Sequence, residues 1–303
     1  VGKRIYCKTA VEDYINHVVS VAEVRFDGLN IAIDTANGSA SVCAKEIFTR
    51  LGAKCHMLSD TPNGVNINLN CGSTHPEELM AFVKANKLDL GVAFDGDADR
   101  MLAVDENGDL VDGDKIIAIC AAQMKQDGKL AKNTAVVTVM SNMGFFKFCE
   151  ENDIKCAKTA VGDRYVLERM LQKGYNIGGE QSGHVIFLDY ATTGDGELSA
   201  VKLIETVVKS GATLGSLAKI MTVYPQVLIN VPVTPQGKLK YNNDEYIISA
   251  VQEAEMDLNG DGRVLVRVSG TEPLVRVMLE GKNIEQITKL GNQIAEVVKE
   301  RLS

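Results

Sequence analysis

Aromatic side chains are scarce in this sequence, at 5% of 303 residues, and positive charge is in deficit, with 32 lysines and arginines against 40 aspartates and glutamates. A net charge of -8 leaves no basic stripe to neutralise a phosphate backbone, and few rings remain to stack on bases, so no nucleic-acid partner is expected. Long apolar runs are also missing. Nothing approaches the roughly 18 to 20 apolar residues of a membrane span, and the N-terminal stretch VGKRIYCKTAVEDYINH lacks the apolar region of a signal peptide. No membrane partner is therefore expected, and a cytoplasmic location is. The seven cysteines, at positions 7, 43, 55, 71, 120, 149 and 156, are odd in number, scattered and never spaced as C-x-x-C. They read as reduced thiols and not as a disulfide or zinc framework. Internal repeats, low-complexity tracts and the P-loop pattern G-x-x-x-x-G-K-[ST] are absent as well.

What is present is an alternation of short apolar runs with longer segments of helical period. With 45% hydrophobic residues the chain can bury more than one core, and at about 100 to 200 residues per domain it should hold two or three domains. NIAIDT (30–35) and AKCHML (53–58) read as strands around a helix opening near Gly38, one βαβ unit. A helix is expected over 75–87 with Pro76 in its first turn, then the strand DLGVAF. A hairpin follows around Asn107-Gly108, and a helix runs from about Asp114 to Gln126. A second round is expected from TAVVTVM (134–140) through HVIFLD (184–189) to the helix in GDGELSAVKLIETVVKSG. YPQVLINVPVTPQGK reads as a strand leading onward, followed by a helix over 243–255, the strands RVLVRVS and LVRVMLEG, and a terminal helix from Ile284. The fold class is α/β: two successive α/β/α domains, 1–124 and 125–225, and a small C-terminal α+β domain, 226–303.

Three loops carry chemistry. In AFDGDADRMLAVDENG, Asp95, Asp97 and Asp99 follow an apparent buried strand at every second position. On a straight strand they would lie about 6 to 7 Å apart, but Gly96 and Ala98 let the chain curl so that the carboxylates converge. Converged carboxylates repel unless a cation neutralises them, and hard oxygens favour Mg²⁺ or Ca²⁺. A calcium loop of the EF-hand kind would place Asp95, Asp97, Asp99 and Glu106 at its ligand positions, but Arg100 stands where the sharp turn wants glycine. DLNGDG (257–262) is a weaker match of the same kind, with Val268 in the last ligand position, and Asp112 and Asp114 read as helix caps. Arg100 is placed to hold a phosphoryl group that bridges to the metal. GGEQSGH (178–184) sets Glu180, Ser182 and His184 on a glycine-flanked loop where alternating polar side chains can meet ligand hydroxyls or an amine. RVSGTEPLVR (267–276) describes a phosphate cradle, with hydroxyls from Ser269 and Thr271, a backbone nest at Gly270, and forked charge from Arg267 and Arg276. A sugar phosphate held among the three loops accounts for all of them.

In their order and spacing DGDADR, GEQSGH and RVSGTEPLVR resemble the α-D-phosphohexomutase superfamily, and the likeness covers essentially the whole chain. Within it CGSTHP (71–76), TAVGDRYV (159–166), the glutamine of GEQSGH and TTGDGELSA (192–200) are most similar to the phosphoglucosamine mutase subfamily. The resemblance implies three related α/β domains and a smaller fourth one. It implies Mg²⁺ on Asp95, Asp97 and Asp99, with Arg100 and His184 as catalytic side chains and Arg100 stabilising the transferring phosphate. Glu180, Ser182 and His184 would contact a hexose or hexosamine phosphate. Arg267, Ser269, Gly270, Thr271 and Arg276 would hold the phosphate that is not reacting, and Arg164 is a further candidate contact. The family's phosphorylated nucleophile lies in a T/S-A-S-H-N-P type loop of the first domain, which this sequence does not contain. The expectation is a chain comprising domains two to four, whose partner is the missing N-terminal domain and which is inactive alone. The rival readings are a phosphoglucomutase or phosphomannomutase, a non-catalytic sugar-phosphate binding module, and a Mg²⁺-dependent phosphatase. The last is disfavoured because D-x-D-x-[TV] is absent.

Overall fold

The computed structural model describes residues 2–3, 5–269 and 272–303. Its chain divides into two compact units, residues 1–141 with 145–222, and residues 142–144 with 223–303.

The larger unit holds two sheets of related topology. In the first, the order is β2-β1-β3-β4-β5. Its strands β1 (Asn30–Asp34), β2 (Lys54–Leu58) and β3 (Leu90–Phe94) run parallel, and β4 (Met101–Val104) and β5 (Leu110–Val111) close it antiparallel. Helices α1 (Ala10–Ser20), α2 (Ala44–Arg50), α3 (Glu77–Asn86) and α4 (Gly113–Gln126) accompany it. The second sheet has the order β7-β6-β8-β9, made of β6 (Thr134–Thr138), β7 (Lys155–Thr159), β8 (Ile177–Gly179) and the antiparallel β9 (Val185–Phe187). Its helices are α5 (Met143–Glu151), α6 (Asp163–Lys173), α7 (Gly196–Ser210) and α8 (Leu214–Leu217). Every residue of β3 and β6 is buried, which is why these central strands read as unbroken apolar runs: parallel strands are covered on both faces.

The sheets share one core. Phe94 and Met101 from the first, Val137 and Ile177 from the second, and Ile116, Ile117, Leu198 and Val201 from α4 and α7 belong to a single buried cluster. Both helices start with an aspartate cap: Asp112 accepts from Lys115 N at 3.1 Å and Asp195 from Leu198 N at 2.9 Å. Asp112 thus caps a helix as expected, whereas Asp114 is buried in the first turn.

The smaller unit is a three-stranded antiparallel sheet, order β10-β12-β11, built from β10 (Gln226–Pro232), β11 (Gly262–Val268) and β12 (Leu274–Gly281). It carries α9 (Pro235–Lys240), α10 (Glu245–Leu258) and α11 (Ile284–Leu302). Ile287, Leu290, Ile294, Val298 and Leu302 form the buried stripe of α11 at helical spacing and pack with Val275, Val277 and Leu279 of β12.

The structure departs from the expectations in four places. The helix expected from Gly38 begins with a 3-10 turn, Ser39–Val42, because Ser39 N is drawn to Gly96 O at 2.9 Å; the α-helix starts only at Ala44. PQGK, read as the end of a strand, belongs to the helix Pro235–Lys240, since Thr234 caps it and Pro235 stands in its first turn. β8 is three residues long and ends in two glycines, too little pattern to read. Helix α1 was not foreseen either. Among the described residues no helix is long and apolar enough to cross a membrane.

Candidate functional site

The chain leaves β3 at Phe94 and turns sharply before re-entering as β4. Ala98 adopts a left-handed backbone, φ +58°, which an L-residue tolerates only at some cost. At Gly96 φ is not positive, but an added Cβ would lie 2.7 Å from Asn68 Nδ2 and 2.8 Å from Ile67 Cδ1, so its small size is what counts. The result is that Asp95, Asp97 and Asp99 each offer an oxygen within 4.8 Å of the others.

Asp95 is buried, Asp97 exposed and Asp99 half-buried. Asp95 Oδ1 accepts from Arg100 N at 3.2 Å. Its Oδ2 is buried and receives no aligned hydrogen bond. Arg100 Nε lies 2.6 Å from that oxygen, yet its N–H is directed at Asp99 Oδ1, 3.3 Å away. Burial holds the Asp95 carboxyl above its ordinary range, partly offset by the Arg100 charge and reinforced by Asp99 and Asp97. Three carboxylate oxygens within 4.8 Å of one another, together with a buried Asp95 Oδ2 that no aligned donor satisfies, fit a divalent cation such as Mg²⁺.

The second loop lies between β8 and β9 in the same unit. Gly183, φ +96°, makes the turn, with Gly183 N on Glu180 O at 3.0 Å. Glu180 Oε1 accepts from Gly162 N at 3.0 Å, so the GDRYV segment abuts this loop. Gln181 Nε2 donates to Asp112 Oδ2 at 3.1 Å, and Ser182 is exposed. His184 Nδ1 lies 3.2 Å from Asp99 Oδ2, and His184 Nε2 accepts from Gly194 N at 3.1 Å. The structure thus brings the aspartate loop and the GEQSGH loop together. Arg164 is not drawn in: its side chain is 81% exposed and its Nε bonds Glu168 Oε1 at 2.8 Å.

The two loops meet because two glycines permit it. A Cβ on Gly113, at the start of α4, would stand 2.2 Å from Glu180 O, and one on Gly196, at the start of α7, would stand 2.9 Å from both Ala98 O and Arg100 O. Backbone hydrogen bonds seal the contacts, Gly113 N to Gln181 O at 3.0 Å, Gly196 N to Ala98 O at 2.8 Å and Met101 N to Gly183 O at 3.1 Å.

The third loop belongs to the smaller unit and is described by itself. Arg267 and Arg276 face each other directly across β11 and β12. Burial, and then the neighbouring Arg276 charge, lower the Arg267 pKa, as expected where two like charges stand opposite each other. Arg276 reaches Glu272 Oε2 at 2.7 Å, while its Nε is buried without a hydrogen-bond partner among the described residues. Ser269 is buried, its Oγ accepting from Glu272 N at 3.2 Å. Gly270 and Thr271 lie outside the described residues.

One cluster escaped sequence reasoning. Tyr14 Oη lies 2.9 Å from Asp195 Oδ1 and 3.1 Å from Glu197 Oε2, and Cys43 Sγ donates to Glu197 Oε1 at 3.0 Å. Burial pushes Glu197 up to about 7, raises Asp195, and holds Tyr14 and Cys43 far above their ordinary values. The tyrosine has one hydrogen for two carboxyl groups, and a proton on Glu197 would satisfy the second contact. These groups border a cleft of about 590 Å³ that is also lined by Val42, Asp97 and Asp99. No local pattern could have signalled a contact between residues 14 and 195.

Comparison with known proteins agrees with this layout. The models describing the phosphoglucomutase/phosphomannomutase family match in sequence: alpha/beta/alpha domain II at 12–108, alpha/beta/alpha domain III at 112–224 and the C-terminal domain at 228–297. The chain belongs to this family. It is 54% identical over 291 residues to a phosphoglucosamine mutase of Brevibacillus brevis, covering 96% of this chain and 64% of the relative. Against the phosphoglucosamine mutase of Clostridium novyi it is 51% identical over 300 residues, covering 99% and 67%. The chain therefore spans about two thirds of the length of these curated relatives. Its fold is similar to that of Aspergillus fumigatus N-acetylphosphoglucosamine mutase, solved in complex with GlcNAc-6P and magnesium, with a TM-score of 0.79 at 20% identity over 97% of this chain and 65% of that one. A putative phosphomannomutase from Thermus thermophilus gives 0.74 at 20% identity, over 98% and 68%.

Proposed function

We propose that this chain supplies the metal loop, the sugar loop and the phosphate loop of a phosphohexomutase that interconverts glucosamine 6-phosphate and glucosamine 1-phosphate. The observation that carries this reading is the convergence of Asp95, Asp97 and Asp99 within 4.8 Å, beside Arg100. Mg²⁺ held there would neutralise charge on the group in transfer. Arg100 turns its guanidinium from the acids to the phosphoryl oxygens, a charge-assisted contact. Glu180 and Ser182 meet the sugar hydroxyls, and Arg164 is a further contact once its exposed side chain swings inward. Arg267, Ser269, Gly270, Thr271 and Arg276 hold the phosphate that is not reacting. Because that phosphate sits on either end of the sugar, forked arginines and backbone donors recognise it without reading one sugar face. Glucosamine is favoured over glucose or mannose by the relatives' names.

On this reading the phosphoryl donor is a phosphoserine in a T/S-A-S-H-N-P loop of an N-terminal domain, and no serine among these 303 residues stands in that context. The phosphoserine gives its phosphoryl group to O1 of glucosamine 6-phosphate, forming a 1,6-bisphosphate; the bisphosphate turns over, and the phosphoryl group the substrate brought on O6 passes to serine, leaving glucosamine 1-phosphate. The cleft beside Asp97 and Asp99, where Val11 and Val42 are exposed, suits the docking of such a domain. On this reading the polypeptide alone binds Mg²⁺ and sugar phosphate without turnover. The test is a mutase assay on homogeneous protein: conversion of glucosamine 6-phosphate with no added domain would overturn the need for an external serine. Release of inorganic phosphate instead would point to a phosphatase.

A further inference from the structure

We infer that Tyr14 is a positioning residue for the aspartate loop: its hydroxyl holds the start of α7, and the start of α7 holds Ala98 in the backbone conformation that brings Asp97 and Asp99 together. This rests on the reading of residues 95–99 as a metal loop and adds to it a side chain from α1.

Ala98 stands between two of the three acids with φ +58°, a left-handed backbone that an L-residue keeps only when its surroundings hold it. Within the loop Ala98 N bonds Asp95 O at 3.1 Å, and from outside Gly196 N donates to Ala98 O at 2.8 Å. That outside donor is the first residue of α7. Its lack of a Cβ, which would lie 2.9 Å from Ala98 O, is what allows the approach. The first turn of α7 is therefore part of what fixes the loop.

That turn is itself gripped from α1. Asp195 Oδ1, which caps the helix through Leu198 N at 2.9 Å, also accepts from Tyr14 Oη at 2.9 Å. The same hydroxyl lies 3.1 Å from Glu197 Oε2, while Cys43 Sγ, at the cap of α2, donates to Glu197 Oε1 at 3.0 Å. Tyr14 thus reaches 181 residues along the chain to Asp195 and 183 to Glu197, the neighbours of Gly196 on either side. Without the hydroxyl the two acids face each other with no hydrogen from α1 between them, and they repel. The first turn of α7 then loosens, Gly196 N withdraws from Ala98 O, and Ala98 relaxes, so that carboxylate oxygens now within 4.8 Å of one another part. The hydroxyl is directed at α7 and not at the aspartates, so its effect on the ion passes through the helix.

The test uses the whole chain. In calorimetric titration with Mg²⁺, Tyr14→Phe, which keeps the ring and loses the hydroxyl, should bind about 10-fold more weakly than wild type. Tyr241→Phe is the control: it removes a hydroxyl that donates to Val266 O at 2.6 Å in the smaller unit, and it should leave Mg²⁺ affinity unchanged. Adding Glu197→Gln to Tyr14→Phe takes away the repulsion beside Gly196 and should recover most of the lost affinity. Unchanged affinity in Tyr14→Phe, an equal loss in Tyr241→Phe, or no recovery in the double variant would each sink the positioning role. Should Tyr14→Phe not fold, hydrogen exchange of the wild type decides. Coupling between the ion and the helix start is reciprocal, so saturating Mg²⁺ should slow exchange at the Gly196 N–H by about 10-fold, and an unchanged rate would overturn the inference. A wild type that binds no Mg²⁺ at all would remove the metal-loop reading itself, and the inference with it.

Discussion

The two sheets of the larger unit are variations on one plan, and their differences show how each loop is used. Each has three parallel strands followed by an antiparallel one, and each places its functional loop at the turn from the third strand to the fourth, residues 95–100 in the first and 180–184 in the second. Each sheet then sends out a helix whose first residue is a glycine, and that glycine packs on the loop of the other sheet. The bracing is reciprocal. The contents are not: the first loop gathers three carboxylates against one arginine, while the second holds a single glutamate already satisfied by the Gly162 N–H. On the proposed reading one loop takes a cation, and the other presents polar groups to neutral hydroxyls.

The largest break of this comparison should come from the braces. Gly113→Val and Gly196→Val each drive a branched side chain into backbone carbonyls at 2.2 to 2.9 Å, and each should cost about 3 kcal/mol or more in denaturant unfolding. If either variant melts like the wild type, that helix does not brace the opposite loop.

A second test separates the two helix starts by pH. Glu197, in the first turn of α7, has its pKa raised by burial from 4.5 to about 7. The folded protein therefore holds this proton more tightly than the unfolded chain. Its stabilising share is complete below about 4.5 and is lost as pH rises through about 7, a fall of about 3 kcal/mol across that window. Glu197→Gln keeps a neutral side chain at all pH values and should flatten that part of the unfolding free energy against pH. An unchanged slope would mean that Glu197 is ionised in the native state.

The smallest effects should differ in sign between the loops, which makes them the sharpest comparison. Without metal, Asp97→Asn relieves repulsion among the aspartates and should stabilise the protein by about 1 kcal/mol at low salt. It should also lower Mg²⁺ affinity at least about tenfold, so that excess Mg²⁺ reverses the order of melting temperatures. Glu180→Ala leaves the Gly162 N–H without its acceptor and should destabilise by about 1 kcal/mol whether or not Mg²⁺ is present. Parallel melting curves with and without Mg²⁺ would show whether only the first loop responds to the ion.

The aspartate loop was legible in the sequence because its signal is local: acids at alternate positions after a buried strand can be seen without knowing the fold. The arginines at 267 and 276 were legible for the same reason, and the register of β11 with β12 sets them side by side. The partnership of His184 with Asp99 was not, since it spans 85 residues and depends on α4 and α7 bringing two sheets together. The cluster of Tyr14, Cys43, Asp195 and Glu197 was hidden likewise, because nothing about an isolated tyrosine or cysteine marks a buried acid beside it.

By itself, then, the sequence determined the alternation of strand and helix and which residue types would occupy each loop, because hydrophobic period and turn chemistry act over a few neighbouring residues. Tertiary structure alone decided which loops come together and which side chains from distant segments, such as His184 and Asp99, lie within hydrogen-bond distance. Those outcomes depend on contacts between segments far apart in the chain, and hydrogen-bond partners and excluded volume exist only once the packing has brought them together.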